Sequence, residues 1–430
     1  MERRTPIRLE TIPIEPHRSA ALPFIGEYFA CAGAGRMGRF SAMSQQGANA
    51  PKILPTHTPE LFDAAVKRAA ALLRAGEVVA LPTETVYGLA ANALDARAVA
   101  KIFEAKGRPA HNPIIVHVAS LEMARRCASQ WPEAAGRLAA SFWPGPLTLV
   151  LAKAADIPDI VTAGGPTVGI RWPGHPLMQA VIRETGFPLA APSANPSGQV
   201  SPTNAEHVRR LLGTRVPLIV DGGQSQVGIE STVIDLTTQP PRVLRPGMIH
   251  EGSLVAALGS EVVGPGASQF VAGDRLAADS PLTPALSTDL RNSSREAFAR
   301  GRGEGARRAA LRSPGQLEKH YSPRARVLVL EWSGTAALLE QLAQRGIPEA
   351  ECQVVAHSRI PAAERFAGVS VIPHDAEAFA RALYAEFHRC DEAGARFVVI
   401  EAVPERPEWR GVADRLMRAA VGGESESLNR

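Results

Sequence analysis

Apolar residues recur at helical or strand spacing from about residue 58 to residue 247. Thr58 and Pro59 are a typical helix start, and the apolar residues that follow as far as Leu73 fall on one helical face. Further helices are predicted at 95–106, 120–130, 132–142, 175–185 and 204–212, and short strands at 78–81, 114–118, 147–151, 168–172, 189–191, 218–220, 232–236 and 243–244. Because helices and strands alternate irregularly, residues 56–250 are predicted to form an α/β domain around a mixed, twisted sheet.

A second, smaller α/β domain is predicted at residues 326–425. Its strands are predicted at 327–330, 353–356, 369–372 and 397–400, and its helices at about 335–344, 376–390 and 408–420. Regular alternation of strand and helix is typical of a small open parallel sheet. The intervening segment 251–325 is poor in apolar residues and rich in Gly, Ala, Ser and Arg, so we interpret it as a linker.

Residues 1–55 show no sustained period and are interpreted as an N-terminal extension. We expect this segment to be disordered or, before Met43, to result from a misassigned start site. It contains one G-x-G-x-x-G spelling at Gly33–Gly38, but no strong strand precedes the motif and no helical pattern follows it. A dinucleotide-binding fingerprint needs strand, turn and helix together, so we assign no cofactor to this segment.

Composition excludes several classes of protein. The chain has 430 residues, of which 45% are hydrophobic and 21% charged, and no apolar run reaches the roughly 18 residues that a membrane span needs. The cysteines at positions 31, 127, 352 and 390 lie far apart, which argues against a disulfide framework or a zinc knuckle. We therefore expect a cytoplasmic protein without a membrane segment.

The net charge of +4 is a local excess rather than a general basic character. Seven arginines and two glutamates lie between Arg291 and Arg312, a net charge of +5, which leaves about −1 for the rest of the chain. Charge alone therefore does not indicate a dominant nucleic-acid surface.

Residues that could do chemistry cluster in the first domain at strand ends and sharp turns, where α/β folds place ligands. The segment 106–113 combines Lys106, Arg108 and Asn112 with two prolines, and a stiffened cationic loop suits phosphate, with Lys as a point charge and Arg as a fork. Lys106 could equally be a helix-end residue that complements the helix dipole. Arg171 ends an apolar strand, where it could clamp a carboxylate or simply be solvated.

Hydroxyl and amide side chains accompany these cations. They lie in the segments 82–89, 190–203 and 228–233, and a further cation, Arg245, ends the last predicted strand. The sequence lacks G-x-S-x-G, none of these loops contains a cysteine, and the histidines at 111, 117 and 175 lack metal-site spacing. Covalent or zinc catalysis is therefore disfavoured, and the set fits phosphoryl or nucleotidyl transfer, in which positioning and charge neutralisation do most of the work.

At these residues the sequence resembles the YrdC-like domain of the L-threonylcarbamoyladenylate synthase family. The motifs that carry the resemblance occur in order: PTETVYGL (82–89), KGRPAHNP (106–113), PGPLT (144–148), TVGIRWP (167–173), APSANPSG (191–198), SPT (201–203), GIESTV (228–233) and LRPG (244–247). The linker end at 312–323 and the α/β tail resemble the long, two-domain form of that family.

The resemblance implies that L-threonine, bicarbonate and ATP, with Mg²⁺ bound through the phosphates, give threonylcarbamoyl-AMP and pyrophosphate. A separate transferase would then use the product to modify tRNA. The implied L-threonine ligands are Thr85, His117, Arg171, Ala191 (backbone) and Ser231. The implied ATP ligands are Arg108, Asn112, Thr167, Ser193, Asn195, Ser201, Arg245 and Tyr321, with Lys106 and Arg108 as the catalytic cations and residues 313–323 as a candidate lid.

Two other functions remain open. A nucleic-acid-binding module would use a basic surface, and the arginine-rich segment 291–312 could make a weak contact with double-stranded RNA. A carbamoyltransferase that uses carbamoyl phosphate is the alternative enzyme. Such a domain would normally sit inside a larger maturation protein with zinc-finger cysteines, and that cysteine pattern is absent from this sequence.

Overall fold

The computed structural model describes residues 51–264 and 321–420 of the chain. Several sequence predictions lie outside the described residues: the segment before residue 51 with its glycine motif, the arginine-rich segment 291–312, and positions 313–320 of the candidate lid. In the two described ranges, no helix is long and apolar enough to cross a membrane.

The first domain is built on one mixed sheet. Its strands are β1 (Lys52–Pro55), β2 (Val79–Leu81), β3 (Gly88–Asn92), β4 (Val116–His117), β5 (Leu147–Ala152), β6 (Thr167–Arg171), β7 (Leu189–Ala190), β8 (Leu218–Asp221), β9 (Thr232–Asp235) and β10 (Arg242–Arg245). Their order is β1-β8-β2-β3-β7-β4-β6-β5-β9-β10. The pairs β1/β8, β8/β2, β4/β6 and β5/β9 are parallel and the others antiparallel, which confirms the predicted mixed sheet.

Six of the eight helices that the structure describes in this domain begin and end close to the predicted positions. The eight are α1 (Pro59–Arg74), α2 (Ala96–Lys106), α3 (Leu121–Cys127), α4 (Glu133–Phe142), α5 (Asp159–Thr162), α6 (Pro176–Thr185), α7 (Ala205–Leu212) and α8 (Glu251–Leu258). The Thr58 side chain caps α1 by accepting a hydrogen bond from the Leu61 amide at 3.3 Å. Gly107 ends α2 in the left-handed conformation, with φ of 59°.

The central strands of the sheet are buried on both faces. In β2 and β3, Ala80 and Leu89 belong to one apolar cluster, whereas Val79, Leu81 and Ala90 belong to another. Alternate residues of a strand point to opposite faces, so helices cover the two sides of the sheet. Helices α1 and α6 lie together on the second face, where their apolar residues join the cluster around Leu81.

The second domain has a four-stranded parallel sheet, as predicted. Its strands are β11 (Arg326–Leu330), β12 (Cys352–Ala356), β13 (Gly368–Val371) and β14 (Phe397–Glu401), in the order β11-β14-β12-β13. Its helices are α9 (Thr335–Gln344), α10 (Ala376–Glu392) and α11 (Arg410–Ala420).

Four helices and strands of the first domain were not recognised in the sequence, and one of them is the short helix α5. Strand β1 lies in the interval assigned to the N-terminal extension and pairs with β8. Helix α8 lies in the interval assigned to the linker, and its Leu254 and Leu258 are buried in the core of the first domain. Strand β3 lacks β-branched and aromatic residues, so its sequence carries no strand signal.

Helices α10 and α11 of the second domain pack against the first domain. Val86, Val200 and Ile229 of the first domain share one apolar cluster with Phe379, Tyr384 and Val412 of the second. Gly228 allows this close approach: a Cβ atom there would lie 2.4 Å from the Arg381 Cα and 2.5 Å from the Ala380 carbonyl oxygen, both in α10. The two domains therefore meet through backbone contact as well as side-chain packing.

We expect Gly228→Ala to destabilise the protein more than Gly186→Ala. Both glycines have φ near +80°, so both substitutions introduce similar backbone strain, but only position 228 lacks space for a methyl group. Overpacking should add about 1–3 kcal/mol to the loss in free energy of unfolding, which urea denaturation of the two variants measures. Equal losses would contradict the close interdomain contact.

Candidate active site

One cavity of the first domain gathers most of the residues implied to bind ligands. It is lined by Thr85, Arg108, His117, Arg171, Ala191, Ser193, Ser231, Arg245 and Tyr321. The other lining residues are Thr83, Val86, Gly88, Ile115, Pro192 and Glu230. Segments that are far apart in the sequence converge here because their strands are neighbours in the sheet.

The ends of β4 and β6 place two of these residues side by side. The two strands are parallel, and their register pairs His117 with Arg171. Thr85 follows β2 and joins this group, because its hydroxyl accepts a hydrogen bond from Arg171 Nη1 at 2.8 Å. Three of the five L-threonine ligands implied by the resemblance therefore lie together around a buried guanidinium, and Ala191 and Ser231 line the same cavity.

Arg171 is only 4% exposed and already contacts a carboxylate of the protein. Its Nη2 lies 2.7 Å from Glu84 Oε1, and its Nε donates to the Gly145 carbonyl at 3.2 Å. Glu84 therefore already balances part of the Arg171 charge inside the protein. A ligand carboxylate would have to share this guanidinium with Glu84 rather than meet an unoccupied fork.

His117 is a neutral imidazole in this environment. Burial, together with the Arg171 guanidinium, lowers the pKa of His117 to about 3. Its Nδ1 has no hydrogen-bond partner within the part of the chain that the structure describes. A neutral imidazole beside a guanidinium can donate to or accept from a polar ligand without adding charge.

Arg108 and Asn112 lie on the opposite, cationic side of the site. Arg108 Nε donates to the Asn112 carbonyl at 3.0 Å, and Nη2 donates to the Pro113 carbonyl at 2.5 Å, so the loop holds the guanidinium at the cavity wall. The Asn112 side chain is fully buried but does not line the cavity, and neither of its amide atoms has a partner among the described residues. Such an amide is unsatisfied unless a ligand or water reaches it.

Lys106 does not line the cavity. Its Nζ donates to the carbonyl oxygens of Ser193 and Asn195 and lies 3.3 Å from Asn195 Oδ1. Burial lowers the pKa of Lys106 well below its usual 10.5, and the Arg108 and Arg215 charges act in the same direction. The side chain thus ties the end of α2 to the loop 193–195, and Asn195 Nδ2 braces that loop further by donating to the Gln199 carbonyl at 2.7 Å.

Ser231 and Arg245 connect the two sides of the cavity. Arg245 Nε donates to the Ser231 carbonyl, and Nη2 donates to the Ser231 hydroxyl, both at 3.1 Å. The Ser231 hydroxyl also lies 2.8 Å from Thr148 Oγ1. The residue assigned to L-threonine and the residue assigned to ATP are therefore one hydrogen-bonded unit.

Two residues assigned to ATP lie away from the cavity. Thr167 begins β6 and borders a separate small void with Thr148 and Thr162. Ser201 is fully buried, and its hydroxyl donates to Glu230 Oε1 at 2.6 Å. The structure therefore does not bring Thr167 or Ser201 to the cavity wall, and the Ser201 hydroxyl is bonded to Glu230 instead.

Tyr321, at the end of the candidate lid, does line the cavity. It is 1% exposed with φ of 63°, and its ring stacks on Tyr384 of α10 at a centroid distance of 5.9 Å. The second domain therefore supports this wall of the cavity.

The sequence did not identify Glu84 and Glu230 as site residues. Burial raises the pKa of Glu84, but the Arg171 charge and a Gly174 amide outweigh that effect and hold it below its usual value. Burial likewise opposes ionisation of Glu230, and Arg415 and Arg245 overcome it, lowering the pKa to about 2. Both acids occur inside motifs that carry the family resemblance, and that position could have identified them as site residues.

The wall of the cavity is strongly cationic. Arg108, Arg171 and Arg245 are each at most 9% exposed, and each lining or adjacent carboxylate is paired with an arginine. Concentrated positive charge in a site of low dielectric favours anionic ligands. Across the described ranges, no group of three or more His, Cys, Asp or Glu residues is arranged to hold a metal ion.

The fold and the cavity define an α/β protein with a buried, arginine-lined ligand site that a second domain partly encloses. Comparison with known families agrees with this architecture. Residues 71–247 match the family described as "Telomere recombination", and residues 287–421 match the family described as "Threonylcarbamoyl-AMP synthase, C-terminal domain".

Related proteins share both domains. A threonylcarbamoyl-AMP synthase of Pyrococcus abyssi is 36% identical over 358 residues, which is 83% of this chain and 94% of its own length. One from Bacillus subtilis is 38% identical over 369 residues, or 84% of this chain and 94% of its own. A crystal structure of the Pyrococcus abyssi protein complexed with L-threonine superposes with a TM-score of 0.69 at 34% identity, covering 86% of this chain and 96% of that one. The chain belongs to the threonylcarbamoyl-AMP synthase family, as its motifs predicted.

Buried neutral histidines should make the stability of this protein fall at mildly acidic pH. Burial lowers the pKa of His117 and His207 to about 3 and that of His388 to about 4, whereas the unfolded chain binds these protons near pH 6.5. The free energy of unfolding should therefore decrease as the pH falls from about 6.5 towards 4.

Urea unfolding between pH 7 and pH 4.5 tests this expectation. His117→Gln should reduce the slope of stability against pH by up to about 1.4 kcal/mol per pH unit, the value for one linked proton. His57→Gln, at an exposed position, should leave the slope unchanged. An unchanged slope in His117→Gln would show that this imidazole is not held neutral.

Proposed function

We propose that the protein is a nucleotidyltransferase that makes L-threonylcarbamoyl-AMP from L-threonine, bicarbonate and ATP and releases pyrophosphate. A separate tRNA threonylcarbamoyl transferase in the cytoplasm would use this product to form N6-threonylcarbamoyladenosine. The observation that carries the proposal is that one buried cavity joins an amino-acid-sized polar cluster around Arg171 to a cationic wall formed by Arg108 and Arg245. Family membership supports the same conclusion.

L-threonine would bind at the cluster around Arg171. The Arg171 guanidinium, shared with Glu84, would pair with the L-threonine carboxylate, and Thr85 and His117 supply neutral polar groups beside it. Ala191 lines the same wall, where its backbone could contact the ligand, and Ser231 adds a hydroxyl. The L-threonine complex of the Pyrococcus abyssi relative supports this substrate.

ATP would bind along the wall formed by Arg108, Ser193, Arg245 and Tyr321. The two guanidiniums would pair with phosphate oxygens. Asn112 does not line the cavity, so its contact with the nucleotide is a prediction from the motif. Lys106 and Asn195 would act by holding the loop that carries Ser193. Thr167 and Ser201 would reach ATP only if their present contacts change, so for them the motif assignment remains a prediction.

The reaction needs no nucleophile from the protein. The L-threonine amine attacks bicarbonate, and loss of water gives a carbamate. A carbamate oxygen then attacks the α-phosphorus of ATP, and pyrophosphate leaves. Placing both reactants in one cavity makes the second step effectively unimolecular, and the arginines stabilise charge that moves onto the leaving phosphates.

Mg²⁺ would enter with ATP rather than bind to the protein alone. Glu230 lines the cavity, but its two oxygens already accept hydrogen bonds from Ser201, Tyr384 and Arg415. The described residues therefore offer no carboxylate set for the ion, which would be held through the phosphates.

A labelling assay tests the proposed reaction directly. The purified protein is incubated with ATP, L-threonine and ¹⁴C-bicarbonate, and both pyrophosphate and the labelled adenylate are measured. We expect equal amounts of both products and dependence on all three substrates. Release of phosphate from carbamoyl phosphate, with formation of carbamoyl-AMP and pyrophosphate from ATP and no need for L-threonine or bicarbonate, would favour the carbamoyltransferase. Salt-sensitive RNA binding without turnover would favour a nucleic-acid-binding module.

We expect Arg171 to be required for L-threonine more than for ATP. Arg171→Met should raise the dissociation constant for L-threonine at least about tenfold and leave that for an ATP analogue within about threefold, because a charged contact to the carboxylate is lost. Isothermal titration calorimetry measures both constants, with Arg183→Met at an exposed position as the control.

The paired carboxylate complicates this variant, since Arg171→Met leaves Glu84 buried without its cation. Glu84→Gln combined with Arg171→Met removes that unpaired charge and should restore stability without restoring L-threonine affinity. Wild-type L-threonine affinity in the double variant would contradict the assignment of Arg171.

A further inference from the structure

A buried ion pair joins the second domain to the wall of the cavity. Arg415 of α11 is fully buried, and its Nε donates to Glu230 Oε2 at 2.8 Å. Glu230 lines the candidate active site, whereas Arg415 lies 185 residues further along the chain. Burying a carboxylate and a guanidinium together is unfavourable unless every polar atom finds a partner, so the contacts of both residues matter.

Both oxygens of Glu230 are occupied. Oε1 accepts the Ser201 hydroxyl at 2.6 Å, and Oε2 accepts the Tyr384 hydroxyl at 3.0 Å in addition to Arg415. Two of these three donors, Tyr384 and Arg415, come from the second domain. Glu230 therefore depends on the second domain for both its charge balance and its orientation.

Arg415 also fixes two backbone segments of the cavity wall. Its Nη2 donates to the Glu230 carbonyl at 3.2 Å, and its Nη1 donates to the Pro246 carbonyl at 2.8 Å. Pro246 follows Arg245, whose guanidinium is itself bonded to Ser231. A single side chain of the second domain thus holds the segments that present Ser231 and Arg245 to the cavity.

The same guanidinium contacts a third part of the wall. Its central carbon lies 5.2 Å from the centre of the Tyr321 ring, which is a cation–π distance. Asp414 accepts a further hydrogen bond from Arg415 Nη1 at 2.7 Å, so the arginine is shared between two carboxylates. Arg415 is therefore a buried cation with partners from both domains and is not a solvated surface charge.

The charge of Glu230 explains why this arrangement bears on the ligand. Without Arg415, its carboxylate would stand uncompensated in the wall that holds Arg108 and Arg245. It would repel an incoming phosphate and would attract the Arg245 guanidinium away from the ligand. When Arg415 neutralises Glu230, the positive charge of Arg108 and Arg245 can act on the anionic ligand.

We propose that Arg415 is a positioning residue for the nucleotide side of the cavity: it neutralises Glu230 and holds the Ser231 and Arg245 segments, so that ATP affinity depends on the second domain. This inference rests on the proposed function in taking ATP as the anion.

Three variants and one matched control test the proposal. Arg415→Met removes the charge at similar length, Arg415→Lys keeps the charge but not the fork, and Glu230→Gln with Arg415→Met removes both charges. Arg410→Met is the control, because Arg410 also belongs to α11 and also pairs across the domains, at 2.6 Å from Glu251, but its partner Glu251 does not line the cavity. Calorimetry measures the affinity for a non-hydrolysable ATP analogue, and steady-state kinetics measures both KM values and kcat.

We expect Arg415→Met to raise the dissociation constant and the KM for ATP at least about tenfold. The KM for L-threonine should rise by a smaller factor, because Ser231 is the one L-threonine residue in the segments that Arg415 holds. Arg415→Lys should be intermediate. The double variant should recover only part of the ATP affinity, because no uncompensated carboxylate remains but the hydrogen bonds from Arg415 to the Glu230 and Pro246 carbonyls are still lost. Arg410→Met should match the wild type throughout.

Several outcomes would overturn the proposal. These are wild-type ATP affinity in Arg415→Met, equal losses for ATP and L-threonine, or a double variant no better than Arg415→Met. If Arg415→Met does not fold, the double variant and Arg415→Lys decide the question by the same criteria. Failure of the proposed function is distinguishable, since it would abolish turnover in the wild type, whereas binding of the ATP analogue would still report on Arg415.

Discussion

The rest of the structure depends on holding several guanidinium groups together in one buried cavity. Arg108, Arg171 and Arg245 repel one another, and burial removes the water that would screen them. Each is fixed by backbone carbonyls, those of Asn112, Gly145 and Ser231 respectively, which satisfy donors without cancelling charge. A site built in this way retains a positive potential that an anionic ligand can neutralise.

Each carboxylate near the cavity is paired with a particular arginine. Glu84 is paired with Arg171, and Glu230 is paired with Arg415 from the second domain. The second pair gives the second domain a physical role in the site, since its α10 and α11 also carry Tyr384 and pack behind Tyr321. The close approach at Gly228 fits the same arrangement, because the glycine precedes the segment that contains Glu230.

Most elements of the fold were predictable, since helix α1 has a capping threonine and an apolar stripe, and strands such as β5 are continuous apolar runs. The motifs also located most of the cavity wall. Pairing between residues far apart in the sequence was not predictable. No local pattern marks Arg415 as the partner of Glu230. The motif makes Ser201 a candidate ligand residue, and only the folded structure shows that its hydroxyl is bonded to Glu230. Lys106 was correctly placed at a helix end, but its bonds to the loop 193–195 require the folded chain.

A crystal structure with L-threonine and a non-hydrolysable ATP analogue would test the central claim most directly, namely that one cationic cavity holds both substrates. The account predicts the L-threonine carboxylate at Arg171, the phosphates at Arg108 and Arg245, and Tyr321 against the nucleotide. Phosphates bound instead in the cleft between the domains near Arg410, or at the carboxyl ends of the strands of the second domain, would contradict it.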